Sequence, residues 1–438
     1  MPIRGLAVAF AVVLSAAQSF AASPFDSGST PDARPFLSSG QSDERTAREE
    51  NGPRAALSEA RLAQVPALQP APSPLAPEAV GPNAMVRRII TFKKGTPLPR
   101  QLQLTQVGGG VVLAKLGLIS ALSIAVPQTS LLSFEKGLAA FPEVVRIEND
   151  RVQNWLKDVP AAPPAAGQKT PWGIERVRAA AAWPLTRGAG VKVAVIDTGI
   201  DPTHPDLRVL GGYSSITHDE KFADGHGHGT HVAGTIAALD DGKGVVGVAP
   251  EVALYGVQVL GADGSGSFAT VIEGIQWAVE HKMDVANMSL GASEGTPALE
   301  EAVKAAAEAG LTIVAAAGNS GGEVGYPAVY PEVLAVSAID SAGKLAYFSS
   351  RGPQVAFAAP GVSVESCYLG GAYETMDGTS MASPHVAGLA ALAAAHGAHG
   401  PKALRAALEA AASPLPGLSK EEQGAGLVDA GRLTAPRS

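Results

Sequence analysis

From residue 172 to the C-terminal region, apolar segments of strand length alternate with segments that have helical spacing. The strand-like segments are VKVAVID, VALYGVQVL, DVANMSL, LTIVAAAG and VLAVSAI. The helix-like segments are HGTHVAGTIAAL, FATVIEGIQWAVEH and PALEEAVKAAAEAG, whose apolar residues recur at helical spacing. Strands that are apolar throughout are buried on both faces, and their alternation with helices builds a parallel sheet covered by helices. The sequence therefore predicts an α/β domain with a doubly wound, mainly parallel sheet over residues 168–438.

Residues 1–21 have the pattern of a secretory signal peptide. Arg4 precedes an apolar run over residues 6–17, and Ser19 and Ala21 place small residues before a cleavage point. The run is too short to span a bilayer comfortably, which disfavours the alternative of an N-terminal membrane anchor. We therefore expect a secreted protein, either extracellular or retained in a periplasm.

Three segments lie between this leader and the α/β domain. Residues 22–84 are rich in Pro, Ala and Ser, which predicts a poorly ordered stretch. Residues 85–156 contain a strand pattern in MVRRIITF, two strands around a turn in GGGVVLAKLGLISALSIAVP, helical spacing in SLLSFEKGLAAFPE and a closing strand in VVRIEND. This order predicts a small α+β domain. Residues 157–167 are Pro/Ala-rich and read as a linker.

Charge and cysteine content narrow the possible functions. The net charge is −8, which excludes a general nucleic-acid binder. The single cysteine, Cys367, rules out an intrachain disulfide, so another feature must stiffen a secreted chain. Cys367 is either a small buried hydrophobic residue or a thiol near the site that mercurials would reach.

Three polar residues stand where chemistry could be placed. Asp197 ends the strand in VAVIDTGID, at the edge where open α/β sheets hold their sites. His228 in GHGHGTHVAG and Ser380 in DGTSMASPHVAG stand at helix starts. Taken alone, these could be a turn aspartate, a zinc ligand and an N-cap serine. Zinc is disfavoured because His228 and His231 are three positions apart without the glutamate of H-E-x-x-H, and His226 does not restore that pattern.

Together these residues suit nucleophilic catalysis. A serine hydroxyl is a weak nucleophile, so it needs a base, and the base needs an orienting acid. The chain order Asp197, His228, Ser380 is that of subtilisin and differs from chymotrypsin-like enzymes and α/β-hydrolases. A backbone N–H beside Ser380 could stabilise an oxyanion. We expect Pro384 in the first helical turn, where its missing N–H costs no hydrogen bond.

The segments VAVIDTGID, GHGTHVAGT and GTSMASPHVAG resemble the three signature segments of the subtilisin-like serine proteases, which are the subtilase or peptidase S8 family. The resemblance extends from Gln168 to about Thr434. It implies a serine endopeptidase that hydrolyses peptide bonds through an Asp197–His228–Ser380 triad and an acyl-enzyme.

The resemblance also implies residues that bind the substrate. AAAGNSG is similar to the oxyanion segment, with Asn319 as side-chain donor. GADGSGSF is similar to the strand that pairs with the substrate, NMSLGA to one wall of the primary pocket, and VGYPAVYP to its far wall and base. With an open glycine base and Glu323 facing solvent, the pocket should prefer a large apolar P1 residue. The implied substrate-binding residues are Gly264, Ser265, Gly266, Phe268, Ser289, Leu290, Gly291, Ala316, Gly318 and Gly325.

A structural calcium site of the family is implied as well. Its ligands would be side-chain and backbone oxygens, as calcium requires, and the alternative is a solvated acidic turn. Bound calcium would provide the stiffening that disulfides do not. The implied ligands are Gln168, Asp206, Leu239, Asp241, Lys243 and Val245.

Residues 85–156 resemble, less closely, the ferredoxin-like propeptide of the family, which assists folding and then inhibits the enzyme. Its end, VQNWL, would lie in the active site as a product, with autocleavage near Leu156. The implied protein is a monomeric zymogen. Its partners are polypeptide substrates and its own propeptide, with no nucleic acid or membrane partner.

Two alternatives from other classes compete with this interpretation. A sedolisin-type acid peptidase shares a GTS serine segment, but it has a glutamate where His228 stands and an aspartate where Asn319 stands. A catalytically inactive binding relative would lack at least one catalytic residue, whereas all four positions are filled here.

Overall fold

The structure, a computed structural model, describes residues 84–106, 109–156, 159–160 and 168–435. The predicted signal peptide and nearly all of the Pro/Ala/Ser-rich segment lie outside the described residues, as does most of the predicted linker. Within the described residues, no helix is both long enough and apolar enough to cross a membrane.

Residues 84–156, which we call the N-terminal unit, contain a four-stranded antiparallel sheet and two helices. Its elements are β1 (Met85–Phe92), α1 (Leu98–Gln106), β2 (Val111–Leu116), β3 (Ala121–Pro127), α2 (Leu131–Ala139), β4 (Val144–Asn149) and the short β5 (Val152–Asn154). The strand order in the sheet is β2-β3-β1-β4. This is the arrangement of a ferredoxin-like βαββαβ unit. The short strand β6 (Val159–Pro160) follows it in the chain.

Helix α1 is the element of this unit that the sequence pattern does not predict. Its sequence, LPRQLQLTQ, is mostly polar and carries a proline, so its helical spacing is weak. The helix has a single well-buried apolar residue, Leu104, which belongs to the same hydrophobic cluster as Phe134 and Ile124. Tertiary packing therefore decides this helix, and local propensity does not.

Residues 168–435, which we call the C-terminal unit, are built around a seven-stranded sheet whose neighbouring strands are all parallel. Its strands are β7 (Lys192–Asp197), β8 (Val209–Ser214), β9 (Ala253–Gln258), β10 (Ser265–Ser267), β11 (Val285–Met288), β12 (Thr312–Ala316), β13 (Leu334–Ile339), β14 (Val355–Pro360), β15 (Val364–Tyr368), β16 (Ala372–Asp377), β17 (Ala412–Ser413) and β18 (Leu427–Val428). Its helices are α3 (Trp172–Arg176), α4 (His228–Ala237), α5 (Phe268–Glu280), α6 (Pro297–Glu308), α7 (Thr379–Ala395), α8 (Pro401–Ala411), α9 (Lys420–Gln423) and α10 (Ala430–Leu433). The sheet order is β14-β13-β12-β11-β7-β9-β8. The predicted α/β fold with a parallel sheet is confirmed.

The central strand β7 shows how the sheet is covered on both faces. Val193 and Val195 belong to the hydrophobic cluster that contains α4 and α7, while Ala194 and Ile196 belong to the cluster that contains α5 and α6. Successive side chains of a strand point to opposite faces, so an unbroken apolar run buries both. The chain passes from β7 to one side of the sheet through β8 and β9, and then to the other through β11. Asp197 ends β7 at this point of reversal, where open α/β sheets hold their sites.

Helix α7 corrects one expectation from the sequence. The helix begins at Thr379, so Pro384 lies in its second turn and not in the first. At this position a proline removes the hydrogen bond to the carbonyl four residues earlier, that of Ser380. The hydroxyl of Ser289 donates a hydrogen bond to this carbonyl at 2.7 Å. The proline is tolerated because another donor satisfies the acceptor that it leaves.

Candidate active site

Asp197 and His228 form a fully buried pair at the carboxyl edge of the sheet. His228 Nδ1 lies 2.7 Å from Asp197 Oδ1, and both side chains are 0% exposed. The backbone N–H of Thr198 donates to the same oxygen at 2.7 Å. Burial raises the pKa of Asp197, against the opposing influence of the His228 ring and the Thr198 N–H. The contact with Asp197 assigns the proton to Nδ1, which leaves Nε2 as the ring atom that can accept one.

Two glycines allow the backbone to present His228. Gly227 precedes the helix with φ of 103°, and a Cβ there would lie 2.4 Å from the ring of Tyr368. A Cβ on Gly229 would lie 2.0 Å from the carbonyl oxygen of Gly199. A side chain on Gly229 would push α4 away from the end of β7 and separate His228 from Asp197, and a side chain on Gly227 would collide with β15.

Ser380 is the second residue of α7 and is 5% exposed. Its Oγ donates to the carbonyl of Ser289 at 3.2 Å, and the Ser289 hydroxyl donates back to the carbonyl of Ser380. This reciprocal pair fixes the start of α7 against the end of β11. Because a hydroxyl rotates, Oγ can turn from this carbonyl toward an imidazole acceptor.

Asn319 lies opposite the start of α7. Its Oδ1 accepts hydrogen bonds from the N–H and the hydroxyl of Thr379, each at 2.8 Å. With its carbonyl end fixed in this way, the amide directs its NH₂ group to the other side. Asn319, Thr379 and Ser380 all line one cavity. From the sequence, Thr379 was expected only as a small residue beside Ser380 that lets a substrate approach, and its hydrogen bonds to Asn319 were not predicted.

The cavity beside Ser380 has a volume of about 410 Å³. Ser289 does not line it but lies fully buried behind its wall. Among the described lining residues, Glu323 is the one charged side chain, and it is exposed. The pocket residues implied by resemblance that line the cavity are Leu290, Gly291, Ala316, Gly318 and Gly325. Other lining residues fall in segments that the sequence analysis expected at the site: Trp155, Ala292, Val324 and Val329. The lining residues Ser293 and Ser350 lie in none of those segments.

The end of the N-terminal unit lies along this cavity as an added strand. β5 pairs with β10 in antiparallel register, with Asn154 opposite Ser265. Trp155 N–H donates to the carbonyl of Gly264 at 3.1 Å, and Gly291 N–H donates to the carbonyl of Trp155 at 3.0 Å. This is recognition by strand addition, in which backbone hydrogen bonds hold an extended segment whatever its side chains.

The ring of Trp155 packs against Phe268, which is one of the implied substrate-binding residues. The two rings meet edge to face at 5.1 Å, and Trp155 Nε1 donates to the carbonyl of Gly266 at 2.9 Å. Farther along the chain, β6 pairs with β16 at Met376 and Asp377. The described parts of the segment therefore pair with the C-terminal unit before and after residues 157–158.

Two carboxylates of the N-terminal unit cap helices of the C-terminal unit. Asp150, which is 1% exposed, accepts from the N–H of Ala269 in the first turn of α5 at 3.0 Å. Glu148 accepts from the N–H of Ala298 at the start of α6 at 3.2 Å. Arg87 donates to Asp150 Oδ2 at 2.7 Å. Negative charge is favoured at a helix N-terminus, so these contacts position the whole unit as well as its tail.

The other two histidines of GHGHGTHVAG have separate environments. His231 is fully buried, and its Nε2 donates toward the carbonyls of Val364 and Glu374 at 3.0 and 3.1 Å. It therefore ties α4 to the β15–β16 hairpin. The ring of His226 lies beside that of His228, with 6.3 Å between ring centres.

All six implied calcium ligands are joined to one another by hydrogen bonds. Gln168 Nε2 donates to the carbonyl of Leu239 at 2.9 Å, and Val245 N–H donates to Asp206 Oδ2 at 2.9 Å. Asp241 accepts from the N–H of Lys243 at 3.1 Å. Burial raises the pKa of Asp206 to about 6.

The buried oxygen Asp206 Oδ1 has no hydrogen-bond partner among the described residues. Cys367 is fully buried, with its Sγ 3.9 Å from Asp206 Oδ2. Of the two alternatives given for Cys367, its burial fits the small buried hydrophobic residue.

Comparisons with known proteins agree with this geometry. The family model described as the subtilase family, peptidase S8, matches residues 188–426. Subtilisin Savinase of Lederbergia lenta is 53% identical over 228 residues, which cover 51% of this chain and 84% of that protein. Subtilisin DY of Bacillus licheniformis is 50% identical over 231 residues, with 51% and 84% covered.

The chain belongs to the subtilase family. Subtilisin E of Bacillus subtilis is 43% identical over 291 residues, which cover 65% of this chain and 73% of that protein. The family and these relatives make this subtilase a serine endopeptidase, a hydrolase that acts on peptide bonds. The recognition made from the three sequence segments is confirmed.

Proposed function

We propose that this subtilase is a secreted endopeptidase made as a zymogen, and that it removes its own N-terminal unit. One observation carries the proposal. The segment from Val152 to Trp155 pairs with the edge strand β10 and with Gly291, alongside the cavity that Ser380 lines. A chain that threads its own site in this way is the first substrate that the site meets.

In the proposed mechanism, Ser380 Oγ attacks the scissile carbonyl while His228 Nε2 takes the hydroxyl proton. Asp197, held to Nδ1, orients the imidazole and stabilises its protonated form. His228 then donates the proton to the leaving amine, which gives an acyl-enzyme on Ser380. Water, deprotonated by His228, hydrolyses the acyl-enzyme and restores the serine.

The tetrahedral intermediate carries a negative oxygen that needs donors already in place. We assign the NH₂ group of Asn319 and the backbone N–H of Ser380 to this role. Thr379 holds the carbonyl end of Asn319, so the amide does not have to reorganise as charge develops. The helix dipole at the start of α7 adds positive potential at the same place.

We propose self-cleavage at a bond between Leu156 and Val159. The N-terminal unit would then remain as an inhibitor, because the capping contacts of Asp150 and Glu148 do not involve the cleaved bond. Loss of this inhibitor would require its displacement or degradation. The signal peptide predicted over residues 1–21 would direct the precursor out of the cytoplasm.

We propose that the primary pocket prefers large apolar P1 residues. Its walls at Leu290, Ala316 and Gly318 carry no charge, and its volume of about 410 Å³ admits an aromatic side chain. The one charge among the described lining residues, on Glu323, is exposed and therefore solvated. A lysine or arginine in the pocket would bury its cation without a fixed partner.

We propose that calcium binds where the oxygens of Gln168, Asp206 and the loop at residues 239–245 converge. The residues fit a hard cation, because the donors are all oxygens and a buried carboxylate oxygen, Asp206 Oδ1, lacks a described hydrogen-bond partner. When bound, the ion would neutralise this carboxylate and tie the N-terminal end of the C-terminal unit to α4. It would act in stability and not in the chemistry.

An active-site label tests the proposed nucleophile. A fluorophosphonate should inactivate the processed enzyme and modify one serine, which peptide mass spectrometry should map to Ser380. Ser380→Ala, matured by added wild-type enzyme, should neither hydrolyse peptides nor take up the label. Ser383→Ala, which changes the other buried serine of the same segment, should retain both properties. Label uptake by Ser380→Ala would overturn the assignment.

A further inference from the structure

The proposed mechanism does not use His226, although its ring lies beside that of His228. The ring centres are 6.3 Å apart and the ring planes are inclined at 75°. His226 Nδ1 is buried, and it has no hydrogen-bond partner among the described residues. A second ionisable imidazole therefore stands next to the proposed general base.

The backbone holds His226 in this position. Its N–H donates to Asp224 Oδ1 at 2.8 Å, and its carbonyl accepts from the hydroxyl of Tyr368 at 3.1 Å. The ring of Tyr368 also packs against the neighbouring Gly227, where even a Cβ would collide with it. The backbone of the loop between Asp224 and His228 is thus held on both sides of His226.

The charged and titratable groups around His226 leave its ring without an ion pair among the described residues. Asp224 lies in the same loop, and its carboxylate accepts hydrogen bonds from the N–H groups of His226 and Gly227 and from the N–H and hydroxyl of Thr230. Tyr368, from β15, contacts the His226 carbonyl and not the ring. On the remaining side stand His228 and, behind it, Asp197.

We propose that a proton on His226 keeps His228 in its neutral, proton-accepting form and so extends peptide hydrolysis to lower pH. The proposal rests on the role of His228 as the general base given above. His226 does not touch the reacting atoms. It is a positioning residue, and it acts by placing a positive charge beside His228. Two like charges about 6 Å apart oppose each other, and here the opposition favours the form of His228 that catalysis needs.

The coupling has a signature in the pH profile. At this separation, and with an effective dielectric constant of about 40 to 80, protonated His226 should lower the apparent pKa of the acid limb of kcat/KM by roughly 0.5 to 1 pH unit. Both imidazoles can bind a proton, so their proton binding is coupled by this repulsion. The acid limb of the wild type should then be shallower than that of a single titrating group.

A charge series at position 226 tests this. The kcat/KM of the processed enzyme on an uncharged peptide anilide is measured from about pH 4.5 to 9 for the wild type, His226→Asn, His226→Lys and the control His399→Asn. In His226→Asn the acid limb should move to higher pH by roughly 0.5 to 1 and take the slope of one proton. In His226→Lys it should stay at or below the wild-type position, also with the slope of one proton. His399→Asn, which removes an exposed histidine near the start of α8, should match the wild type.

The results separate this proposal from the proposed function. A wild type with no peptidase activity would refute the proposed function itself. Active variants whose acid limbs coincide within about 0.2 pH unit would overturn the role of His226 and leave the proposed function intact. A fall in kcat/KM at every pH with an unmoved limb would also overturn it, because that is what a purely structural role produces.

Discussion

In the C-terminal unit, helices of the same unit cover both faces of the sheet, whereas in the N-terminal unit α1 and α2 cover only one face. The other face of the small sheet is buried by its neighbour. Ile89 and Leu116 belong to the same hydrophobic cluster as Ile272 and Ile275 of α5. The large unit therefore has a core of its own, while the small unit completes its core with a surface that belongs to the enzyme.

This difference bears on the proposal that the N-terminal unit is removed after folding. We expect a domain of this size, with one face of its sheet uncovered, to be only marginally stable alone. Docking adds apolar contacts, the two carboxylate caps at α5 and α6, and the strand addition at β10. Once released, the unit should lose order and become a substrate, which would make inhibition self-limiting.

Of the four predictions below, the one with the largest expected effect concerns a substitution in the C-terminal unit. Asn319→Leu removes the proposed oxyanion donor while keeping the size of the side chain. We expect kcat to fall about 10²–10³-fold, the size established for this kind of donor in a subtilisin. Peptide hydrolysis by the processed variant measures it. A thermal unfolding midpoint close to that of the wild type should show that the loss is catalytic. A loss below about threefold would contradict the role of Asn319.

The next change touches the contact between the units. Asp150→Asn weakens the cap on α5 and breaks the ion pair with Arg87, so the N-terminal unit added in trans should inhibit roughly 10- to 100-fold less tightly. Glu135→Gln is the matched control, because Glu135 pairs with Arg88 inside the N-terminal unit. Equal inhibition constants for the two variants would mean that the small unit docks through its apolar face and tail alone.

The third prediction concerns the preference of the processed enzyme for the P1 residue, with an expected effect of about tenfold. With a series of anilides that differ at P1, Phe, Tyr, Leu or Met should exceed Lys or Arg in kcat/KM by at least that factor. Gly291→Val should reverse the order of Phe and Ala, because a Cβ at Gly291 has room, 3.7 Å from the nearest carbonyl. Gly325 is a poorer site for this test, since a Cβ there lies 2.9 Å from the carbonyl of Ala292. Better turnover of the Lys substrate would show that Glu323 acts in the pocket.

The smallest expected effect concerns calcium and the C-terminal unit by itself. A chelator should lower the thermal unfolding midpoint by several degrees, and calcium should restore it, because a ligand that binds only the folded state stabilises it. Asp241→Ala should reduce the response, whereas Asp263→Ala, a change in a loop away from these oxygens, should leave it intact. Identical midpoints with and without chelator would remove the calcium site from the account.

The two units also differ in how far sequence predicts them. In the C-terminal unit, long apolar segments predicted the strands of the sheet. Three specific segments identified Asp197, His228 and Ser380 as candidate catalytic residues from the sequence alone. The sequence could not show that Ser289 lies behind the pocket wall, because both its hydroxyl and its carbonyl are turned to Ser380.

In the N-terminal unit the pattern was weaker, and the reasons are physical. Helix α1 depends on tertiary contacts at Leu104, which no local periodicity reveals. Asp150 is also beyond local prediction. This carboxylate follows a strand, and its function depends on the N-terminus of a helix that lies 119 residues later in the chain. Pro384 was misplaced because α7 begins at Thr379, so its first turn ends before residue 384. The compensating hydroxyl of Ser289 is 91 residues away in sequence.

The central claim is that the C-terminal unit cuts the segment that lies along its own site. The direct measurement is intact mass and N-terminal sequencing of the wild type and of Ser380→Ala, each refolded separately with no other protease present. The account predicts that the wild type yields a C-terminal product whose first residue falls within 157–159, while Ser380→Ala stays uncut. Maturation of Ser380→Ala to the same product, or a wild-type product that begins elsewhere in the chain, would contradict it.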